Sequence, residues 1–179
     1  MTSIRDLDSF LRERVHDVAD FPTAGVVFKD ISPLLGDRVA FGAAIDAMVG
    51  RFGRGAIDTV VGIEARGFIL GAAVAYHAAA GFVPVRKEGK LPRSTASREY
   101  ALEYGTDTIE IQNDAIRKGA RVVLVDDLLA TGGTLAAAAT LLEQVGGVVP
   151  AAACVIELTF LEGRKRLKVP VETLLKYDS

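Results

Sequence analysis

The chain has 179 residues, 50% of them hydrophobic, and its 21 basic and 23 acidic side chains give a formal net charge of −2. This length suits one domain with a substantial core, and the charge balance argues against a nucleic-acid partner, which would need a concentrated positive surface. The single cysteine, Cys154, cannot form an internal disulfide, and the first ten residues contain no apolar signal region. We therefore expect a reducing, cytoplasmic location.

The first third of the chain is predicted to contain two helices, at residues 4–15 and 38–52, the second of them amphipathic. Residues 20–36 are predicted to form a loop with a short extended part. Three elements follow: a strand at 59–63, a helix at 67–80 and a strand at 82–85.

The stretch from 67 to 85 has no charged residue and is long enough to suggest a membrane span. Gly81 and Pro84 divide it, however, and His77 lies inside it. We therefore favour a buried helix followed by a central strand.

Residues 87–112 change the pattern to a long polar segment with a plausible hairpin. A polar insertion of this length in a compact domain is usually functional or disordered.

The next segment, VVLVDDLLATGGT at 122–134, carries the strongest chemical signal. Its apolar start predicts a buried parallel strand over 121–125, with Asp126 and Asp127 beyond its outer end, and residues 134–145 predict a helix. Small residues at the start of a helix leave backbone N–H groups free for an anion, and ligands bind beyond the carboxyl ends of strands in open α/β sheets. The motif thus suits a phosphate with a hydroxylated sugar beside it. The alternative is a helix N-cap next to a solvated acid pair.

Residues 150–158 are predicted to form another strand and 171–177 a possible edge strand. Because strands alternate with helices, we predict an α/β fold with a mostly parallel, twisted sheet flanked by helices. No linker or internal repeat divides the chain, so we predict one domain over 1–179.

Six motifs in order along the chain resemble those of the type I phosphoribosyltransferase family, in particular its adenine-specific members. They are FPTAGVVFKDISPLL, GIEARGF, VRKEGKLP, EYALEYGTDTIEIQ, ATGGT after the acid pair, and ELTFLEGRKRL. The resemblance implies that family's fold, with a small N-terminal hood at about 1–36 and a flexible catalytic loop at about 87–112. It implies the conversion of adenine and phosphoribosyl pyrophosphate to AMP and pyrophosphate with Mg²⁺, in a homodimer.

The resemblance also assigns site residues. The 5′-phosphate is expected at the loop formed by Ala130, Thr131, Gly132, Gly133 and Thr134. Asp126 and Asp127 are expected to face the ribose hydroxyls and to reach Mg²⁺ through substrate and water. The groups expected at the pyrophosphate are Glu64, Ala65, Arg66, Gly67, Arg86, Lys87 and Lys90. For the three last-named cations, the alternative is a solvated basic edge.

At the base, Val27 and Lys29 are expected to bracket adenine through backbone and side-chain contacts, while Phe28 stacks on the ring. Phe28 and Val27 could instead belong to the core. Glu103 is expected to handle the imidazole proton of adenine, and Arg66 is the second catalytic candidate; the alternative for Glu103 is a solvent-facing hairpin acid. Ala65 stands where the family often has serine, and Lys29 where it often has arginine.

Other functions remain as alternatives. One is a transferase for hypoxanthine, guanine or xanthine, and another is a regulator that binds phosphoribosyl pyrophosphate without catalysis. The only histidines, His16 and His77, do not pair with the cysteine in a zinc-binding pattern, and the chain has no G-x-S-x-G nucleophile motif. Neither nucleic acid nor a membrane is expected as a partner.

Overall fold

The computed structural model describes residues 4–53, 55–101 and 105–179. The strands in these ranges are β1 His16–Ala19, β2 Val27–Asp30, β3 Thr59–Ile63, β4 Gly81–Lys87, β5 Thr95–Ala101, β6 Thr106–Gln112, β7 Arg121–Leu129, β8 Val148–Leu158 and β9 Val171–Tyr177. The helices are α1 Ile4–Arg12, α2 Ser32–Gly36, α3 Arg38–Phe52, α4 Arg66–Ala78 and α5 Gly133–Gln144, with short 3₁₀ turns at Thr159–Leu161 and Gly163–Arg166.

Seven of the strands form one sheet in the order β5-β6-β4-β3-β7-β8-β9. The strands from β4 to β9 in this order are parallel, while β6 pairs antiparallel with β4 and β5 antiparallel with β6. The predicted hairpin and the predicted edge strand at 171–177 are therefore confirmed. Because β4, β3 and β7 are parallel neighbours, their carboxyl ends lie at the same edge of the sheet.

Helices cover both faces of this sheet. In β7, Val123 and Val125 pack in the cluster that contains α3 and α4, whereas Val122 and Leu124 pack in the cluster that contains α5. This alternation explains why the strand is apolar throughout: a strand buried on both faces has no solvent side. The predicted α/β class with a mostly parallel sheet is confirmed.

Glycines bring α4 unusually close to the sheet. A Cβ atom placed on Gly62 of β3 would come within 2.6 Å of the Gly67 carbonyl oxygen and 2.8 Å of the Phe82 ring. A Cβ on Gly67 would come within 2.8 Å of the Val125 carbonyl oxygen. The first turn of α4 therefore lies directly against β3 and β7, which fixes where Arg66 enters the site.

The structure corrects several predicted boundaries. The first helix ends at Arg12, and the chain then forms a two-stranded antiparallel ribbon of β1 and β2, of which β1 was not predicted. A short helix, α2, lies within the predicted loop, with a proline in its first turn, where the missing N–H is not needed. The uncharged stretch folds as α4 and β4. Within the described ranges, no helix is long and apolar enough to cross a membrane.

The largest correction concerns the two acids. We predicted that Asp126 and Asp127 lie beyond the buried strand, but β7 continues to Leu129 and includes both. The reason is the neighbouring strand: β8 runs to Leu158, as predicted, and keeps pairing with β7 as far as Leu129 and Glu157. Asp127 is only 7% exposed.

Candidate active site

Three segments that follow parallel strands meet at one edge of the sheet. Glu64 and the start of α4 follow β3. Arg86 and Lys87 are the last residues of β4 and Lys90 follows it, while the acid pair lies near the end of β7. Since these three strands are adjacent, their side chains form a single cleft. The peptide bond between Glu64 and Ala65 is cis.

The two acids are held in contrasting ways. Asp127 accepts a charged contact from the Arg66 guanidinium at 2.9 Å, whereas an Asp126 carboxylate oxygen accepts a hydrogen bond of 2.9 Å from the Asp127 backbone N–H. Burial raises the pKa of both carboxyl groups; the charge of Asp127 raises that of Asp126 further, and Arg66 opposes the rise for both. A cation or hydroxyl hydrogens beside the pair would favour the ionised form of both carboxyl groups.

Residues 130–134, which we call the phosphate loop after their predicted ligand, enclose a small cavity of about 70 Å³. Its lining is Asp126, Leu128, Ala130, Thr131, Gly132, Gly133, Thr134 and Leu135. Helix α5 begins here at Gly133, and its N-cap residue Gly132, at φ 78°, gives it no side-chain cap. The alternative of a side-chain-capped helix therefore does not fit, and the first-turn N–H groups face the same cavity as Asp126.

Glu64 organises the basic side of the cleft. Its carboxylate accepts hydrogen bonds from Arg86 Nη2 at 3.2 Å, from Lys90 Nζ at 2.9 Å and from the Lys87 backbone N–H at 3.0 Å. Burial alone would raise the pKa of Glu64, but the bonds from Lys90, Arg86 and Lys87 outweigh it and lower this pKa to about 2. Glu64 is thus ionised and oriented toward cations.

The fourth basic side chain has a different partner, because Lys87 Nζ lies 2.9 Å from Asp107 Oδ2 on β6. Arg66, Arg86, Lys87 and Lys90 consequently form a cluster in which every cation contacts a carboxylate. These contacts fix the positions of the four cations, of which Lys87 and Lys90 are exposed to solvent. Ala65 is exposed at the start of α4, and Gly67 lies buried behind it.

Next to the phosphate-loop cavity lies a larger, mainly apolar cavity of about 520 Å³. It is lined by Gly25, Val26, Val27, Phe28, Lys29, Leu128, Ala130, Leu158, Phe160, Leu161 and Ser179. All three residues predicted for the base are in this list. We call it the base cavity after this prediction. Leu128 and Ala130 line both the base cavity and the phosphate-loop cavity, so the two cavities are contiguous.

Phe28 also links the base cavity to the cations. The Arg66 guanidinium lies 4.8 Å from the centroid of its ring, and the Phe21 ring packs edge-on at 5.1 Å. A further open cavity of about 400 Å³ lies between Arg66, Phe28 and the Asp30–Ser32 turn. Phe28 is therefore a shared wall of the cleft rather than a core residue.

Lys29 differs from its predicted role. Its ammonium group contacts an Asp17 carboxylate oxygen at 2.8 Å and lies 4.3 Å from the centre of the Tyr177 ring. The side chain is only 7% exposed. Lys29 lines the cavity, but its charge fastens the β1–β2 ribbon to β9 instead of pointing into the base site.

Sequence reasoning did not single out Leu128, Asp107, Asp30 or Ser32. Leu128 could have been found, because it stands two residues after Asp126 and so shares its face of the strand. Asp107 carries no such signal, since its role depends on the register between β6 and β4. Glu103 lies outside the residues that the structure describes.

Comparison with known proteins agrees with this geometry. Residues 40–178 match the model of the phosphoribosyl transferase domain family. The adenine phosphoribosyltransferase of a Methylobacterium species (strain 4-46) is 56% identical over 173 residues, which cover 95% of this chain and 96% of that relative.

Solved structures show the same similarity. The adenine phosphoribosyltransferase of Rhodothermus marinus matches with a TM-score of 0.92 at 51% identity, over 96% of this chain and 98% of that one. The Saccharomyces cerevisiae enzyme, complexed with adenine and an imino-altritol bisphosphate, matches with a TM-score of 0.91 at 41% identity, over 96% and 99% of the two chains. The chain therefore belongs to the adenine phosphoribosyltransferases, purine-salvage enzymes that make AMP from adenine and phosphoribosyl pyrophosphate.

Proposed function

We propose that the chain carries out this reaction in the cleft at the carboxyl ends of β3, β4 and β7. The observation that carries the assignment is the shared lining of the two cavities by Leu128 and Ala130. A 5′-phosphate in the loop and a base in the larger cavity would be joined by a ribose that passes Asp126. One nucleotide thus accounts for both cavities and for the acid between them.

The phosphate end uses backbone groups. The N–H groups of residues 130–134 and the hydroxyls of Thr131 and Thr134 bind the 5′-phosphate, favoured by the positive end of the α5 dipole. Asp126 and Asp127 accept hydrogen bonds from the ribose 2′- and 3′-hydroxyls. These contacts hold C1 of the sugar in place between the base and the leaving group.

The cationic cluster serves the leaving group. As the bond from C1 to pyrophosphate breaks, negative charge grows on the pyrophosphate oxygens. Arg66, Arg86, Lys87 and Lys90 stabilise it, and Arg66 offers a planar fork for two oxygens. Glu64 keeps Arg86 and Lys90 oriented, and Ala65 and Gly67 add backbone contacts.

Mg²⁺ is part of the proposal. Asp126 and Asp127 supply hard carboxylate oxygens of the kind that Mg²⁺ prefers, and this ion usually keeps several waters and substrate oxygens. In the described part of the chain, no group of three or more His, Cys, Asp or Glu side chains is arranged for a metal. The donor set thus fits an ion shared with the substrate, which when bound neutralises charge on the departing pyrophosphate.

The base end combines stacking with proton handling. Adenine lies in the larger cavity between Phe28 and Leu128, with the Val27 and Lys29 backbones beside it. Glu103 receives or holds the imidazole proton at N7, which leaves the N9 lone pair free to attack C1. This role rests on the motif LEYG alone.

We also propose a cytoplasmic homodimer. The outer face of α4 carries an apolar stripe at helical spacing, made of Ala65, Ile69, Ala72, Tyr76 and Ala79. Tyr76 is 90% exposed and Ile69 49% exposed. A second copy of the chain that covers this stripe would remove that apolar area from water.

The test is a split of kinetic constants between the two substrates. Asp126→Asn should lower kcat/KM for phosphoribosyl pyrophosphate by about 100-fold, the loss expected when a positioning contact is removed. Leu128→Ala should instead raise the KM for adenine by about tenfold through lost packing. Hypoxanthine and guanine, assayed in parallel, measure base selectivity.

Asp58→Asn is the matched control, because Asp58 binds the amino end of the same strand through the Arg121 backbone N–H. Unchanged kinetic constants for both substrates in Asp126→Asn would contradict the assignment of the acid pair to the active site. If Leu128→Ala leaves the KM for adenine unaltered, adenine does not bind in the larger cavity.

A further inference from the structure

Within the motif ELTFLEGRKRL, residues 157–167, Leu158, Phe160 and Leu161 line the larger cavity. Gly163 and Arg164 have no role in the function proposed above, yet Gly163 lies directly against the phosphate loop. A Cβ atom on Gly163 would overlap the Ala130 carbonyl oxygen and come within 2.8 Å of the Gly132 nitrogen. Conversely, a Cβ on Gly132 would overlap the Gly163 carbonyl oxygen. Two backbones therefore touch with no side chain between them, and both glycines are buried.

The residue after Gly163 fixes this contact in place. Arg164 donates to both carboxylate oxygens of Glu157, with Nε at 2.9 Å and Nη2 at 2.6 Å, and also to the Val171 carbonyl oxygen. Thr173 donates its hydroxyl to Glu157 at 2.9 Å. Glu157 is 5% exposed and its pKa is lowered, first by the Arg164 hydrogen bonds. This two-point charged pair has a defined geometry, unlike a flexible surface contact.

The pair is anchored beside the loop itself. Glu157 of β8 is the register partner of Leu129, the last residue of β7, and the loop starts at the next residue, Ala130. The Arg164 guanidinium is directed toward Glu157, Val171 and Thr173, away from the role of a phosphate ligand. Its effect on the loop passes through the adjacent Gly163.

We propose that Gly163, held by the Arg164–Glu157 pair, is a positioning residue that sets the shape of the phosphate loop. The proposal rests on the assignment of residues 130–134 to the 5′-phosphate. Backbone N–H groups bind a phosphate only when they converge on it, and Gly132, at φ 78°, has no side chain to hold it there. The wall formed by Gly163 supplies that support from outside the loop.

The test uses Gly163→Ala and Arg164→Lys, with the protein confirmed as folded by circular dichroism. Gly163→Ala should raise the KM for phosphoribosyl pyrophosphate by about 100-fold, the size of loss that a displacement of about 1 Å produces. The adenine KM should stay within about twofold, because the base cavity does not include Gly163. Arg164→Lys keeps the charge but loses the fork, so the same KM should rise less.

Lys165→Met is the matched control, since Lys165 lies in the same turn and contacts only the exposed Glu162. It should leave both KM values unchanged. AMP affinity, measured by calorimetry, should fall in Gly163→Ala in parallel with the rise in KM. If Gly163→Ala does not fold, Arg164→Lys decides, because an unchanged KM for phosphoribosyl pyrophosphate in that variant overturns the proposal.

Thr131→Val separates this proposal from the assignment beneath it. If Thr131→Val raises the KM for phosphoribosyl pyrophosphate while Gly163→Ala and Arg164→Lys do not, the loop binds phosphate but Gly163 does not position it. If none of the three variants changes this KM, the phosphate assignment fails as well. A lower melting temperature with unchanged KM values would also overturn the proposal, since it would show a purely structural contact.

Discussion

Each cation of the proposed pyrophosphate site contacts a carboxylate: Arg66 contacts Asp127, Arg86 and Lys90 contact Glu64, and Lys87 contacts Asp107. Four clustered positive charges would otherwise repel one another in a partly buried cleft. The carboxylates therefore hold the cations in position before the substrate arrives. In the proposed reaction, pyrophosphate would bind cations that are already in position, which requires little reorganisation of the protein.

Glu64 gives a pH-dependent prediction at this scale. Its pKa is about 2 in the folded protein against an ordinary 4.5, so its contribution to stability is complete above pH 4.5 and is lost as the pH falls from 4.5 toward 2. Glu64→Gln cannot titrate, so its free energy of unfolding should fall less steeply over that range than that of the wild type. Urea unfolding between pH 6 and pH 3 measures the two slopes.

The exposed Glu143 on α5, changed to Gln, controls for the loss of one acidic side chain. Parallel slopes for Glu64→Gln and the wild type would show that the basic cluster does not depend on an ionised Glu64.

Individual residues differ in how far sequence revealed them. The acid pair and the small residues 130–134 were predicted from one continuous motif, because all of them lie on one strand, its loop and its helix. Lys29 contacts Asp17, which lies 12 residues before it in the chain, and Tyr177, which lies on the last strand. No local sequence pattern connects these residues. Contacts of this kind depend on tertiary packing and were not predictable.

The hairpin of β5 and β6 lies within residues 87–112, the segment that the resemblance predicts to be a flexible catalytic loop, and we expect it to close over bound substrates as a lid. It pairs along its length, from Thr95 and Gln112 to Ala101 and Thr106, but β6 joins β4 only at Arg86 and Lys87. At the end of the hairpin nearest β4, the Glu110 carboxylate accepts hydrogen bonds from the Gly89 backbone N–H at 3.0 Å and from the Thr95 hydroxyl at 3.2 Å. In the described part of the hairpin, strand pairing thus joins it to the sheet at one end.

This attachment predicts a gradient of hydrogen exchange. In the free protein, we expect slow exchange near Glu110, where β6 pairs with β4, and faster exchange toward Ala101 and Thr106, which pair only with each other's strand. Saturation with AMP and pyrophosphate should slow exchange in residues 95–106, because a transferase must keep water away from C1. Helix α3, which lies outside the cleft, serves as the internal control. Equal exchange with and without ligands would rule out a closing lid.

Elements with a strong local pattern were predicted well, and those without one were not. β3, α4 and α5 are within a few residues of their predicted bounds because their apolar periodicity is set by burial on the sheet. β1, with all four residues exposed, has no such periodicity and exists through its pairing with β2. The extension of β7 through two acids was missed because carboxylates disfavour a strand locally, while pairing with β8 overrides that preference.

For the whole molecule, the apolar stripe on α4 predicts the oligomeric state. Tyr76→Glu puts a charge at the centre of the proposed contact, where burial without a partner is strongly unfavourable. Light scattering should show the wild type at twice the chain mass and Tyr76→Glu at the mass of one chain.

Val148→Glu is the matched control, because Val148 is another exposed apolar residue, 53% accessible, at the start of β8. This variant should keep the wild-type mass. If Tyr76→Glu also keeps the wild-type mass, the apolar stripe on α4 is not the dimer interface.

The contiguity of the two cavities at Leu128 and Ala130 also bears on how the cycle ends. A molecule held at both of its ends binds more tightly than either half, since the second contact forms at a high effective concentration. AMP is such a molecule, whereas adenine and pyrophosphate each occupy one part of the cleft. We therefore expect the nucleotide product to dissociate more slowly than pyrophosphate, so that departure of AMP, rather than bond formation, limits turnover and lets cellular AMP restrain its own synthesis.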